Sequence, residues 1–321
     1  MNLYKLSFTA AGQLSQMPDS QKIFGALCSI ISATRGKEKL EEYFQSFEHE
    51  PLLIHSSMMI DGTMPMIKEN LFDIVEVNKT IRDQSSEKQL AVLSEFKTYK
   101  RISAVSERVF NTYLLSGETD KLKQDLLDQE ILSAEDGLLC FNDEDLSLSS
   151  AALSFYRARL DVVTEDSDEG RLFRDTAVFY PADTRFKIYV KTSMSQQEIT
   201  ELFSYLQYFA AGNKGSIGRN QFRLIDVEPV SLKGTSLKKM VLSRYIPKED
   251  EFSPDGSSYE LLTSNHIANP AHRGDISTRK ISCFSEGSFM KFNEEKEYYG
   301  QVICYQAGEQ KQYHYGIGFV V

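Results

Sequence analysis

The stretch Gly212-Asn213-Lys214-Gly215-Ser216-Ile217-Gly218-Arg219 lies between an amphipathic helix and a strand, and its reading decides the fold. Ahead of it, Ser195 and Glu198 have the spacing of a capping box, and Ile199, Leu202, Phe203, Leu206, Phe209 and Ala210 recur on one helical face. Gly212 stands where a C′ glycine stops a helix. Beyond the loop, Phe222, Leu224 and Val227 read as a strand. Three glycines, a lysine, an arginine and a serine in eight residues make a loop whose backbone amides can approach phosphates. A Walker A loop is excluded, because it follows a strand and needs Lys then Ser or Thr after its last glycine. A dinucleotide loop opens a helix after a strand, which is the reverse order. A plain helix-to-strand turn remains the alternative. Tyr315-Gly316-Ile317-Gly318, near the other end of the sequence, is a second element of this kind.

The 321 residues suit two domains, and 41% apolar content with 20 Phe and 16 Tyr is ample for their cores. Tyr4, Leu6 and Phe8 alternate from the start, so a strand rather than a secretory signal is expected there, and no apolar run has the length of a membrane span. Cys28, Cys140, Cys283 and Cys304 are far apart, the pattern of buried reduced thiols in a cytosolic protein.

Net charge is −10, which argues against unspecific coating of nucleic acid. Its distribution is uneven. From Leu202 to Lys248, Lys214, Arg219, Arg223, Lys233, Lys238, Lys239, Arg244 and Lys248 face only Asp226 and Glu228. From Glu118 to Asp145, ten acids face only Lys121 and Lys123. A local basic band that coincides with a glycine loop can hold one defined phosphate backbone. The acidic segment is expected to face solvent or a protein partner.

Pro18-Asp19-Ser20-Gln21 is a helix start, with Ile23, Phe24, Leu27, Ile30 and Ile31 on the buried face, and Gly25 suggests close packing against a neighbour. Residues 36–150 read as an irregular, partly helical insertion. Strand patterns resume at Ala152–Tyr156 and Arg171–Tyr180, with a loop from Asp161 to Gly170 between them. In the next strand Phe186, Ile188 and Val190 alternate with Lys187, Tyr189 and Lys191. The order is β-α-(insertion)-β-β-α-β, so an α+β fold with a ferredoxin-like domain over 1–228 is expected. From 229 to 321 the pattern is mostly strand, interrupted by polar loops at Glu249–Ser258 and Asn269–Ser277.

A ferredoxin-like unit closed by helix, glycine loop and strand resembles the RAMP proteins of CRISPR systems. More narrowly, the chain resembles the fourth Csm subunit of type III-A interference complexes, a Cas-five-like family. The likeness runs in order through Met17–Leu27, Pro51–Ser57 with Pro65–Lys68, Asp168–Phe173, Gly212–Phe222, Arg279–Ser288 and Gly316–Phe319. Two departures stand out. Arg157–Val163 replaces the family's polar, basic run before the hairpin, and Asn220-Gln221 replaces glycine and aromatic positions. The resemblance implies a second, mostly β, ferredoxin-like domain over 229–321. It also implies a non-catalytic role without cofactor or metal in the prokaryotic cytoplasm. The subunit would grip the crRNA 5′ handle and bridge the large Cas-ten (Csm-one) subunit to the Csm-three backbone. RNA contacts then fall to Gly212, Lys214, Gly215, Ser216, Gly218, Arg219, Arg223, Tyr315, Gly316 and Gly318, with Phe222 a further stacking candidate; for Tyr315, Phe222 and Arg223 a place in the core is an equal alternative.

Related RAMP proteins cleave RNA, so a metal-independent endoribonuclease is the rival, and such cleavage needs a general base and acid. Of the histidines His49, His55, His266, His272 and His314, the pair His266 and His272 flanks Asn269-Pro270, with Arg273 and Asp275 following, a set that could form a catalytic or RNA-contacting loop. Metal-ligand spacing is missing.

Overall fold

The first strand and first helix form where the sequence places them. β1 (Asn2–Ala10) buries Tyr4, Leu6 and Phe8, and α1 (Ser20–Arg35) begins at Asp19, whose side chain accepts from the Lys22 amide. α1 buries Ile23, Phe24, Leu27, Ile30 and Ile31 and stops at Gly36, where φ is +88°. Gly25 is exposed with open space around it, so the close packing expected there is absent. The computed structural model describes residues 1–69, 71, 82, 85–128, 132–148, 150–159, 171–232, 238–267, 278–307 and 310–321.

α2 (Lys37–Ser46) leads to three short strands, β2 (Leu53–His55), β3 (Met59–Ile60) and β4 (Thr63–Pro65). A largely helical stretch follows: α3 (Ser86–Tyr99), β5 (Ala104–Ser106), α4 (Glu107–Val109) running into a π-helical turn over Phe110–Leu114, and α5 (Thr119–Asp128). β6 (Leu132–Glu135) and β7 (Leu138–Phe141) close it. Among the described residues, β8 (Ala151–Arg159) and β9 (Arg171–Phe179) pair only with each other, except for a bridge from Leu14 to Val178. Then come β10 (Arg185–Thr192), α6 (Gln196–Ser204) and β11 (Phe222–Pro229).

The main sheet has the order β11-β1-β10-β2, antiparallel throughout, with β3 also on β10. α1 and α6 cover one face through contacts such as Phe8 against Phe203, 6.4 Å between centroids. The expected insertion is therefore too wide. Its opening part, through β2 and β3, supplies the sheet's edge on β10. The inserted module proper is the β4-β5-β7-β6 sheet with α3 to α5, built on buried Val105, Val109, Phe110, Tyr113, Leu122, Leu126 and Leu139.

The remaining residues form short strands: β12 (Lys238–Met240), β13 (Phe252–Ser258), β14 (Leu261–Ile267), β15 (Thr278–Phe284) and β16 (Phe289–Phe292). β17 (Tyr299–Gly300), β18 (Ile303–Ala307), β19 (Gln310–His314) and β20 (Ile317–Gly318) complete the order. β13 occupies part of the expected Glu249–Ser258 loop, and the expected Asp161–Gly170 and Asn269–Ser277 loops lie outside the described residues.

The second face of the main sheet is also covered. On this face of β10 Lys187 is fully buried and bonded to Glu107 at the start of α4. Tyr189 stacks 6.1 Å from Phe319, and the Lys191 ammonium sits 4.8 Å above the Phe319 ring and donates to the Val320 carbonyl. Burial pulls Lys187 below the usual lysine range, against the pull of Glu107. Met240, Leu242, Tyr315, Ile317, Phe319 and Val321 join the same core as β1 and α1, so one apolar cluster crosses the 228/229 boundary.

Candidate RNA interface

α6 ends at Ser204 and passes through a 3-10 turn at Tyr205–Gln207, so Gly212 lies beyond the helix rather than capping it; its φ is +120°. The loop is shaped by three further left-handed residues, Lys214 (φ +67°), Gly218 (φ +77°) and Asn220 (φ +55°), around a 3-10 turn at Gly215–Ile217. Asn220, a residue type that tolerates this region, staples the loop shut. Its side chain accepts from the Ser15 amide at 2.8 Å and donates to the Asn213 carbonyl at 2.8 Å. Its amide donates to the Gln13 carbonyl at 3.1 Å. In the sequence Asn220 stands only as a departure from the family pattern; an Asn just after a Gly-Arg pair at a loop exit is the available signal for its closing role.

The loop's polar groups are partly committed. The amides of Ile217, Gly218 and Arg219 bond inside the loop. Among the described residues, the amides of Lys214, Gly215 and Ser216 have no protein acceptor, and Lys214, Ser216 and Gly218 are exposed. Gly215 lies against Ala210, where a Cβ would stand 2.6 Å from the Ala210 Cβ.

Arg219 is a correction. Its side chain is 1% exposed, and it forks onto Asp175 of β9 at 3.1 and 2.8 Å and onto the Thr176 carbonyl at 2.9 Å. A guanidinium sealed in that pair cannot reach a phosphate. Lys214 bonds to the same carboxylate from the rim, its side chain 40% exposed. Lys214, with Arg219, holds the Asp175 carboxyl below its ordinary range. The three side chains sum to one surplus positive charge at the exposed loop.

The second glycine element is also a correction. Tyr315 is fully buried, its ring stacked 5.2 Å from Phe24 and 4.6 Å from His55, and its hydroxyl accepts from the His55 amide. Gly316 and Gly318 are buried against Ile246 and Tyr245. None of the three is open to a base or phosphate. Phe222 is buried against Phe186, whereas Arg223 is exposed on β11, the edge strand.

The basic band is largely neutralised. Lys238 pairs with Glu69, Lys239 with Glu295, and Arg244 with Asp19 and Glu286; Lys233 lies outside the described residues. Exposed aromatic side chains are found at Tyr208, 68% exposed and shortly before the glycine loop, and on the β8–β9 ribbon. There Tyr156, 76% exposed, is directly opposite Arg174.

His55 and His314 are buried, His49 is exposed, and the rival His266 and His272 pair falls where no side chain is described. Among the described residues no group of three or more His, Cys, Asp or Glu could hold a metal, and no helix is long and apolar enough to cross a membrane. Burial pushes the His55 imidazole down to about 4; Nδ1 donates to the Ser56 carbonyl and Nε2 has no partner among the described residues. Unfolded, an imidazole titrates near 6.5, so between those values only the unfolded chain binds the proton. Stability is therefore expected to fall by about 3 kcal/mol from this residue as pH drops from 7 to 4. His55→Phe, which keeps the stack on Tyr315, should flatten that part of a denaturant-melt profile; parallel profiles would refute it.

No protein-family model and no curated protein matches the sequence. Solved structures do. The chain aligns over its whole length with 98% of a chain in the Csm3-Csm4 subcomplex of the type III-A CRISPR-Cas interference complex, at 14% identity and TM-score 0.61. It aligns equally fully with 97% of a chain in the Csm1-Csm4 cassette in complex with pppApA, at 14% identity and TM-score 0.57. The cassette in complex with AMPPNP gives 14% and 0.56. The fold is thus one found in subunits of type III-A CRISPR interference complexes. The component common to these structures is Csm4.

Proposed function

We propose that this chain is the Csm4-type subunit of a type III-A CRISPR interference complex: a non-catalytic protein of the prokaryotic cytoplasm that grips the crRNA 5′ handle. In this role it bridges the large Cas-ten subunit (Csm1) to the Csm3 backbone. The observation that carries the reading is the end-to-end likeness to chains from structures that hold either Csm1 or Csm3. The sheet order β11-β1-β10-β2 supports it, since fourth-first-third-second with all pairs antiparallel is the ferredoxin-like arrangement of RAMP domains. The glycine loop contributes Lys214 and the amides of Lys214, Gly215 and Ser216 to a phosphate, with one surplus positive charge behind them. Arg223 and the Tyr156–Arg174 pair extend the RNA-facing surface.

The test is fluorescence anisotropy of the full chain with single-stranded RNA carrying a repeat-derived 5′ handle. Lys214→Ala should weaken binding roughly tenfold, the scale of one hydrogen bond to a charged group, and flatten the salt dependence by about one phosphate. The RNA should stay intact with or without divalent metal. Handle binding unchanged by Lys214→Ala would remove the loop from the interface, and cleavage abolished by His272→Ala would favour the endoribonuclease.

A further inference from the structure

The segment leaving β1 ties the glycine loop to a cleft that the loop reading does not use. Gly12 packs against the Gly218 carbonyl, and the Gln13 carbonyl accepts from Asn220. The stem of Lys22 lies on Gly212, where a Cβ would come within 2.9 Å of the Lys22 Cδ. Lys22 also lines a cleft of about 520 Å³ between this segment, β3–β4 and Arg244. A volume of that size accommodates a small organic group.

The lining of the cleft combines two chemistries. Met17, Met59, Ile60 and Leu148 line it half-buried, with Met58 and Met64 behind them. Unbranched thioethers are polarizable and adapt to flat aromatic faces. The lining also holds Lys22 paired with Asp19 at 3.0 Å, and Arg244 paired with Glu286 at 3.4 Å and Asp19 at 3.7 Å. Ser57 bonds to Glu286, Ser20 donates its amide to the Ser57 hydroxyl, and the Arg244 amide donates to the Ser20 hydroxyl. Two cations and two carboxylates, mutually paired and held in place, leave no net charge to attract a phosphate. They do offer fixed donors and acceptors alongside apolar, polarizable side chains. That combination fits a neutral planar ring with a hydrogen-bonding edge.

We propose that the cleft receives one unstacked base of the RNA strand whose phosphate lies at the glycine loop, with Lys22 spanning the two. The inference rests on the RNA-binding reading above. Single strands are commonly read in this way, by splaying a base into a pocket while the backbone is held outside.

The test uses the full chain and the handle RNA with a single abasic residue walked along it. One position should lose roughly tenfold in affinity, the scale of one stacked base. Met59→Ser should lose about as much with intact RNA and nothing more with the RNA abasic at that position. Met17→Ser, on a different segment, should repeat the result, with melting temperature confirming that both variants fold. A flat abasic walk, with Lys214→Ala still weakening binding, would overturn the base cleft and leave the RNA reading standing. Failure of the wild-type chain to bind any RNA would overturn both. Cleft variants that bind RNA normally but lose co-assembly with the partner subunits would assign the cleft to a protein side chain, which also overturns the inference.

Discussion

Replacing Asp175 with alanine is expected to lower the melting temperature by on the order of 10 °C, because the change leaves a buried guanidinium without its counter-ion. Arg219 is 1% exposed, and three of its contacts run to Asp175 and the adjacent Thr176 carbonyl. Removing one partner of such a pair costs far more than the pair itself contributes. Arg219→Ala should destabilise for the matching reason, by leaving the Asp175 carboxylate unpaired inside. Lys214→Ala, at the rim, should move the melting temperature by little more than a degree while still weakening RNA. The two cations of one loop thus separate by readout, Arg219 in stability and Lys214 in binding. The pH dependence follows the sign of the shift. Asp175 is held below its ordinary range, so its stabilisation is complete above the ordinary carboxylate value of about 4 and is lost as pH falls through the lower folded value. A melting temperature for Asp175→Ala within 2 °C or so of wild type would show that the pair does not anchor the loop to β9.

The second large effect is expected at Gly316. A Cβ there would stand 2.6 Å from both the Cβ and Cγ1 of Ile246 and 2.7 Å from the Gln301 carbonyl oxygen. All three neighbours are part of the packed junction between β20 and the Tyr245–Ile246 segment, where the Ile246 amide donates to the Gly316 carbonyl. Overpacking a site of this kind costs about 3 kcal/mol when backbone has to move. Gly316→Ala should therefore show a clear loss in urea midpoint, and RNA affinity per folded molecule should stay at the wild-type value. Gly218→Ala is the contrast. Its site is open, and only the φ of +77° opposes a side chain, a cost of about 1 kcal/mol. Reduced RNA affinity in a fully folded Gly316→Ala would return the second glycine element to the RNA surface.

Much of the architecture is legible in local signals. Asp19 before an apolar 3.6-residue pattern, the Ser195–Glu198 capping box and the alternation in β1 mark elements that form at those residues; β8 and β9 are strands as their pattern predicts, but pair as a separate ribbon outside the main sheet. The two caps depend on contacts within a few residues, and the strands show as alternation along the chain, which is the range a sequence pattern records. β2 escaped because Leu53-Ile54-His55 is three residues long and buried on every side chain, with no alternation to mark it. It also follows a helix that a four-strand pattern does not require. The second face of β10 is decided by partners far along the chain. Lys187, Tyr189 and Lys191 lie on it, and the inserted module and the Phe319–Val320 segment cover it.

At the candidate interface, the residue types alone determined that a glycine loop with a lysine and an arginine follows the second helix of the main sheet. They also determined that this loop can shape backbone amides toward an anion. Only the tertiary structure decided which groups are open to one. Arg219 is closed by an aspartate 44 positions away, Tyr315 by Phe24 and His55, and Gly316 by Ile246, while the Lys214 side chain is at the rim and the amides of Lys214, Gly215 and Ser216 have no acceptor among the described residues. Conformational preference and periodicity are local properties, written in neighbouring residues. Burial and charge pairing are set by partners that meet only when the chain has folded.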